Sequence, residues 1–180
     1  MNPASNLVLV GPMGSGKTTI GKRLARRFGL RFVDSDQAIE SCTGTTVSTI
    51  FEIEGEAGFR RREEQTIEKL CAGGDQLIAT GGGAVLSERN RSQLQQHGFV
   101  VWLRTPVERQ LERLSHDRSR PLLQQGNRRQ KLRDLAHHRD PLYAAVCDLV
   151  FDSDQRKVAV AADRLGDILD QRWQRGEAAA

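Results

Sequence analysis

At 180 residues the chain has the length of one domain rather than two, and a domain of this size buries about 70% of the surface its unfolded chain exposes. Hydrophobic residues make up 38%, and 17 glycines bring the apolar share to an ordinary globular level, which excludes a disordered chain, a collagen and a coiled coil. No apolar run approaches a membrane-spanning length. The chain enters its first apolar segment at Leu7 with no basic stretch or cleavage signal before it, which predicts a cytoplasmic protein with no membrane partner. Cys42, Cys71 and Cys147 are too far apart for metal-ligand spacing and too few for a disulfide framework, so plain reduced side chains are expected. The net charge is +4, but Arg104 to Arg139 alone carries nine Arg and one Lys against four acids. Such a segment fits a nucleic-acid patch, an anionic small substrate or a solvated helix face, and composition does not choose between them.

In chain order the pattern alternates strand and helix. Asn6–Val10 is an apolar strand ending at glycine, and Ile20, Leu24 and Phe28 mark one face of a helix over Lys17–Phe28. A second strand follows at Arg31–Val33. Val47, Ile50 and Phe51 suggest a small helix, and Phe59, Ile67 and Leu70 a longer one. Gln76–Ala79 is a third strand, again ending at glycines, and Phe99–Leu103 is the most β-like run. The next helix has Thr105 as its expected N-cap, Pro106 at its first position and Glu108 completing a capping box. Asp148–Phe151 is a fifth strand, and Val158, Ala161, Leu165, Ile168 and Leu169 mark a last helix. Short apolar strands separated by helices predict an α/β fold of three layers, with a five-stranded parallel sheet covered on both faces. Ligands then bind beyond the carboxyl ends of the strands, where the residues after Val10, Val33, Ala79 and Leu103 should converge.

After the first strand stands Gly11-Pro12-Met13-Gly14-Ser15-Gly16-Lys17-Thr18, the pattern G-x-x-x-x-G-K-[ST] between a strand and a helix. Glycines let backbone N–H groups face a polyphosphate, and the helix N-terminus adds a favourable dipole. Lys17 supplies a cation and Thr18 a hydroxyl for Mg²⁺. A chance glycine-rich turn is the bland alternative, and the context on both sides argues against it. The guanine-reading N-K-x-D of a GTPase is missing, and the only D-x-x-G, Asp163–Gly166, falls inside the last helix, so a small kinase fits best.

Several groups then compete for the acceptor. Asp34 and Asp36 follow the second strand and suit Mg²⁺ and an acceptor hydroxyl, or an Asx turn capping the next helix. If strand geometry persists, the two share a side. Of Arg60, Arg61 and Arg62, at most one or two face a crevice. Arg60 is the candidate, with Arg61 and Arg62 as solvated partners of Glu64 or Glu68. Gly81-Gly82-Gly83 would let a ligand sit against backbone N–H groups, or would form a flexible loop. Arg113, Arg118 and Arg120 suit a lid closing over phosphates. No aromatic residue is interleaved in the basic segment beyond Trp102 in its strand, which weakens a nucleic-acid reading.

Taken together, GPMGSGKTT, DSD, FRRREE, the GGG turn, SRPLL and HRDPLY closely resemble the shikimate kinase family, in family order and spacing from about Asn6 to Gln155. The resemblance implies phosphorylation of the 3-hydroxyl of shikimate by ATP with one Mg²⁺, on the route to chorismate. It implies that Gly14, Ser15, Gly16, Lys17, Thr18 and Thr19 hold ATP, that Thr18 and Asp34 serve the metal, and that Gln155 or Arg156 borders the adenine. Asp36, Arg60, Gly82 and Arg139 map to shikimate, the two arginines on its carboxylate, and Arg120 maps to the lid arginine. Lys17, Asp36 and Arg120 are thus the implied catalytic residues. The family lacks a conventional Walker-B acid, as does Ile78-Ala79-Thr80-Gly81 here. Its fold is a P-loop kinase of nucleoside-monophosphate-kinase type, with an acceptor-binding segment at about 34–62 and a lid at about 113–127. Its members are mostly monomers, and no nucleic acid is required. Kinases for gluconate or a nucleoside monophosphate, and a catalytically silent ATP- or RNA-binding module, are the competing readings.

Overall fold

The computed structural model describes residues 4–115, 127–153 and 157–175. Five parallel strands, β1 (Asn6–Val10), β2 (Arg31–Asp34), β3 (Gln76–Ala79), β4 (Gly98–Arg104) and β5 (Leu149–Asp152), form one sheet in the order β2-β3-β1-β4-β5. The strand at its centre, β1, pairs with β3 on one side and β4 on the other and is buried along its whole length.

Alternation along β1 divides the core. Leu7 and Leu9 point to one face, where they pack with Ile20 and Leu24 of α1 (Lys17–Phe28) and Leu165 and Leu169 of α7 (Val158–Arg172). Val8 and Val10 point to the other. There they meet Ile67 of α3 (Val47–Cys71), Leu94 of α4 (Glu88–His97) and Tyr143 of α6 (Arg128–Val146). The layers are therefore helix, sheet, helix, as the strand pattern predicts. Two short α-helices, α2 (Ser35–Thr43) and α5 (Val107–Arg113), and a 3-10 helix at Ala84–Leu86 complete the elements among the described residues.

Several local expectations need correction. The two helices expected around Phe51 and Phe59 are both present, but they follow one another within α3 without a loop and are separated only at Gly55, whose φ of 69° breaks the helical backbone. Helix α4 has no sequence signal, because Leu94 and Asn90 are the only side chains it buries and one apolar residue makes no periodicity. Helix α6 is hidden differently, since Leu132, Tyr143 and Val146 keep helical spacing but a charge interrupts the buried stripe. Its buried face includes Arg139, and Pro141 lies inside it with no N–H to offer the carbonyl four residues back. The capping box before α5 does not form: the N-cap is Pro106, with no side-chain cap. The Thr105 hydroxyl is instead buried, without a hydrogen-bond partner among the described residues. The Thr105 carbonyl accepts from the Gln110 amide at 2.9 Å.

Helix α1 lies close on the sheet at Gly21. A Cβ there would meet Phe32 at 2.8 Å, Leu77 at 3.0 Å and Leu9 at 3.3 Å. Alanine improves helix propensity by about 1 kcal/mol, but overpacking costs about 1–3 kcal/mol. Gly21→Ala should therefore lower the urea midpoint. An unchanged or higher midpoint would show that Phe32 swings aside freely.

Candidate active site

The first strand delivers the chain into the phosphate loop through Gly11. Its φ is 145°, and a Cβ would lie 2.7 Å from the Leu103 carbonyl of β4. The loop ends at Gly16, the N-cap of α1, in the left-handed region. Helices α2, α3, α4 and α6 each begin on a side-chain cap. Helix α1 has neither a side-chain cap nor an acid in its first turn, so its first N–H groups are left to an anion from outside the chain. Lys17 folds back on the loop, where its Nζ donates to the Gly11 and Pro12 carbonyls, both at 2.8 Å. Gly14, Gly16, Lys17, Thr18 and Thr19 line one cleft with Asp34 and Asp36. The buried Ser15 contributes a backbone carbonyl that accepts from the Ser153 hydroxyl at 2.8 Å.

The two aspartates divide in a way that strand geometry does not describe. Asp34 ends β2 and caps α2, its Oδ1 accepting from the Asp36 N–H at 3.0 Å. Its Oδ2 accepts from the Thr18 hydroxyl at 3.0 Å. The Asx-cap reading and the metal-site reading of Asp34 thus describe two oxygens of one carboxylate. Asp36 already belongs to α2, so helical geometry, not the strand pleat, sets its direction.

A second cavity adjoins the first. Its walls include Asp36, Arg60 of α3, Glu63 of α3, Gly82 after β3 and Arg139 of α6. Met13, Asp36, Gly81 and Gly82 line both cavities, so the acceptor side and the phosphate side share one wall. The three glycines have different tasks. A Cβ on Gly83 would run into the Arg60 guanidinium, and one on Gly81 would meet Asp36 Oδ1 at 2.7 Å and Glu63 Oε1 at 3.1 Å. At Gly82 the contacts would be ordinary, and the added group would stand 3.6 Å from Arg139. Gly81 and Gly83 therefore make room for charged side chains, whereas Gly82 keeps space open beside Arg139.

Glu63 is the site residue absent from the sequence reading. It is 1% exposed, and its Oε2 accepts from Arg60 at 2.6 Å. Burial pushes its carboxyl up to about 7; Arg60 pulls it back, the Asp36 charge raises it and Arg139 lowers it. Burial likewise opposes the charge of Arg60, but Glu63 and Glu56 outweigh it and the guanidinium is held protonated more firmly. The two partners thus shift in opposite senses: Arg60 stays charged, while Glu63 ionises late because burial costs it more than one arginine returns. Its spacing of three from Arg60 is a helical ion-pair signal that the run of three arginines obscures.

The remaining expectations sort plainly. Arg62 pairs with Glu54 at 2.6 Å rather than with Glu64 or Glu68. Glu64 instead accepts from the Ser87 hydroxyl, and Glu68 from Arg89. Arg113 ends α5 and braces the phosphate loop, donating to the Gly14 carbonyl at 2.9 Å and the Ser153 carbonyl at 3.0 Å. The turn after Leu103 does not line either cavity, since Arg104 pairs with Asp152 at 2.7 Å. Arg118, Arg120, Gln155 and Arg156 lie outside the described residues, as does most of the expected lid. Arg109 and Arg133 of the basic segment pair with Glu112 and Glu108, and Arg139 is buried, so among the described residues of that segment the charge does not form a single stripe.

The Glu63 shift sets a pH dependence. An acid whose folded value, about 7, lies above its ordinary 4.5 binds its proton more tightly in the folded state. Its contribution to stability is then full below about 4.5 and lost as the pH rises through about 7. Glu63→Gln should flatten the fall in thermal midpoint over that window relative to the parent. Parallel profiles for the two proteins would show that Glu63 titrates normally.

Comparison with known proteins follows the same lines. A family model described as shikimate kinase matches residues 13–170. A shikimate kinase of Stenotrophomonas maltophilia strain K279a is 54% identical over 175 residues, 97% of each chain. One from Xylella fastidiosa strain M12 is 48% identical over the same share of both. Among solved structures, shikimate kinase from Acinetobacter baumannii in complex with shikimate aligns with a TM-score of 0.89 at 47% identity, covering 95% of this chain and 96% of the other. A gluconokinase from Sinorhizobium meliloti aligns with a TM-score of 0.55 at 18% identity, over 94% of this chain and 97% of its own, which is a likeness of fold alone. On a match spanning most of the chain and on close relatives of equal length, the chain belongs to the shikimate kinase family.

Proposed function

We propose that the chain transfers the γ-phosphoryl group of ATP to the 3-hydroxyl of shikimate, giving shikimate 3-phosphate and ADP. The observation that carries this reading is the shared wall. Asp36 faces both the phosphate cleft and a cavity in which two arginines stand ready for a carboxylate.

Each residue then has a task. The phosphates take the uncapped N–H groups of α1, and Lys17 exchanges the Gly11 and Pro12 carbonyls for phosphate oxygens. Arg60 and Arg139 bind the substrate carboxylate, Arg60 already oriented by Glu63. Gly82 leaves the ring its space. Asp36 accepts a hydrogen bond from the 3-hydroxyl and takes its proton as the oxygen bonds to the γ-phosphorus and the bond to the β-bridging oxygen breaks. Positioning supplies most of the effect, so a carboxylate of ordinary basicity suffices.

The Thr18 hydroxyl and the Asp34 carboxylate fit Mg²⁺, because both are hard oxygen donors and already touch at 3.0 Å beside the cleft. Among the described residues no cluster of three His, Cys, Asp or Glu could hold a metal, which suits an ion bound mainly through nucleotide phosphates. When bound, it neutralises charge on the β- and γ-phosphates. Arg120 on a lid and Gln155 beside the adenine complete the proposal, with a cytoplasmic monomer that needs neither nucleic acid nor a membrane. No helix among the described residues is long and apolar enough to cross one.

The direct test is ADP release from Mg²⁺-ATP with shikimate, gluconate, a nucleoside monophosphate or no acceptor. Shikimate should be turned over far faster than the rest, and faster turnover of another acceptor would overturn the assignment. Asp36→Asn should abolish most turnover and weaken shikimate with the Mg²⁺ requirement unchanged. Asp34→Asn should raise the Mg²⁺ concentration for half-maximal rate with shikimate binding nearly intact. Identical profiles for the two variants would show that the pair acts as one unit. Arg60→Ala and Arg139→Ala should each weaken shikimate about ten- to a hundredfold, since a hydrogen bond to a charged group is worth about 1.5–3 kcal/mol. Equilibrium titration reads this directly, and ATP affinity without shikimate should not move.

A further inference from the structure

Helix α6 carries a second polar group toward the acceptor cavity besides Arg139. Tyr143 lies one turn on, at the i+4 position on the same face, and is 1% exposed. Its hydroxyl donates to the Gly82 carbonyl at 2.5 Å. The same turn faces Arg139, whose guanidinium stands 3.6 Å from the position a Cβ on Gly82 would take. One hydroxyl thus holds the glycine turn that the arginine faces.

The position of the ring does not depend on that hydroxyl. It stacks on Trp102 of β4 with centroids 5.6 Å apart and planes 29° from parallel, and it belongs to the core cluster beneath the sheet. Burial raises the phenol far above the ordinary tyrosine value, so it keeps its proton and remains a donor at any working pH. The bond it makes falls on a particular peptide. The Gly82 carbonyl and the Gly83 N–H belong to one planar unit and point in opposite directions, so holding the first fixes the second. Gly82 faces Arg139, and Gly83 is where Arg60 packs. The held peptide therefore lies between the two arginines of the cavity.

We infer that the Tyr143 hydroxyl is a positioning group for acceptor binding, fixing the Gly82–Gly83 peptide beside the Arg139 guanidinium. This rests on the reading of the cavity as the shikimate site. Tyr143 does not touch the reacting atoms. It acts through Arg139 and the glycine turn, and its effect belongs in substrate affinity and not in the chemical step.

Tyr143→Phe removes one oxygen and keeps the ring on Trp102. Steady-state kinetics should show the KM for shikimate raised about tenfold, with kcat and the KM for ATP within about twofold of the parent. Calorimetric titration with shikimate reads the same loss as binding, without turnover. The effect should also depend on its partner: in an Arg139→Ala background, Tyr143→Phe should weaken shikimate by less than about twofold. A variant that binds shikimate like the parent, or one that loses thermal midpoint while its kinetic constants stay put, overturns the positioning role and leaves the function standing. So does full additivity with Arg139→Ala. Failure of the parent itself to bind shikimate overturns the acceptor reading and this inference with it.

Discussion

At Gly11 the backbone of the phosphate loop passes so close to β4 that a Cβ atom would stand 2.7 Å from the Leu103 carbonyl. That approach depends on β1 lying at the centre of the sheet, paired on both sides and buried throughout. The rest of the site hangs from it. Because β1 ends there, α1 must start a few residues later, and its uncapped N-terminus is aimed at the carboxyl edge of the sheet. The neighbouring strands β2 and β3 end at the same edge in register, with Asp34 opposite Ala79. The aspartate pair and the glycine turn therefore arrive beside the loop without any long-range device beyond parallel pairing.

Charge burial is the second constraint, and it works against stability. The wall between α3, α6 and the glycine turn holds Arg60, Glu63, Asp36 and Arg139, with Glu63 and Arg139 almost fully buried. Removing these charges from water is costly, and their mutual pairing returns only part of that. The late ionisation of Glu63 is the visible residue of that imbalance. A substrate carboxylate would give the two arginines a further anionic partner. In the proposed function, the cost carried by the free protein becomes orientation available to the ligand. The Tyr143 hydroxyl extends this preorganisation into the backbone, since an arginine fork is useful only if the peptide it faces is also held.

The phosphate side is braced in a comparable way. Arg113 and Ser153 tie the Gly14 and Ser15 carbonyls to the end of β5. The carbonyls that face away from a bound phosphate are thus occupied, and the N–H groups on the other side of those peptides keep their direction.

Reading the chain as a string was enough for whatever depends on local chemistry. Uninterrupted apolar runs such as Leu7–Val10 name a sheet covered on both faces, because a strand buried on both sides needs apolar residues at every position. The phosphate loop announces itself through glycines whose positive φ and close approach no other residue type serves. The acceptor residues Asp36, Arg60 and Arg139 were legible through motif order, and the structure brings them to one cavity. Helices α4 and α6 were not legible, since one buries a single apolar side chain and the other sets an arginine among its buried Leu132, Tyr143 and Val146. Of three successive arginines the sequence reading singled out Arg60, and the structure turns it inward where Gly83 leaves space. Tertiary structure alone decided that Glu63 is buried against Arg60 and that Thr105 caps nothing. It alone placed the Tyr143 hydroxyl on the Gly82 carbonyl, sixty-one residues away along the chain. Local sequence specifies what a residue can do, but the partner that makes it do so comes from a distant segment, and only the packing of the sheet and its helices brings the two together.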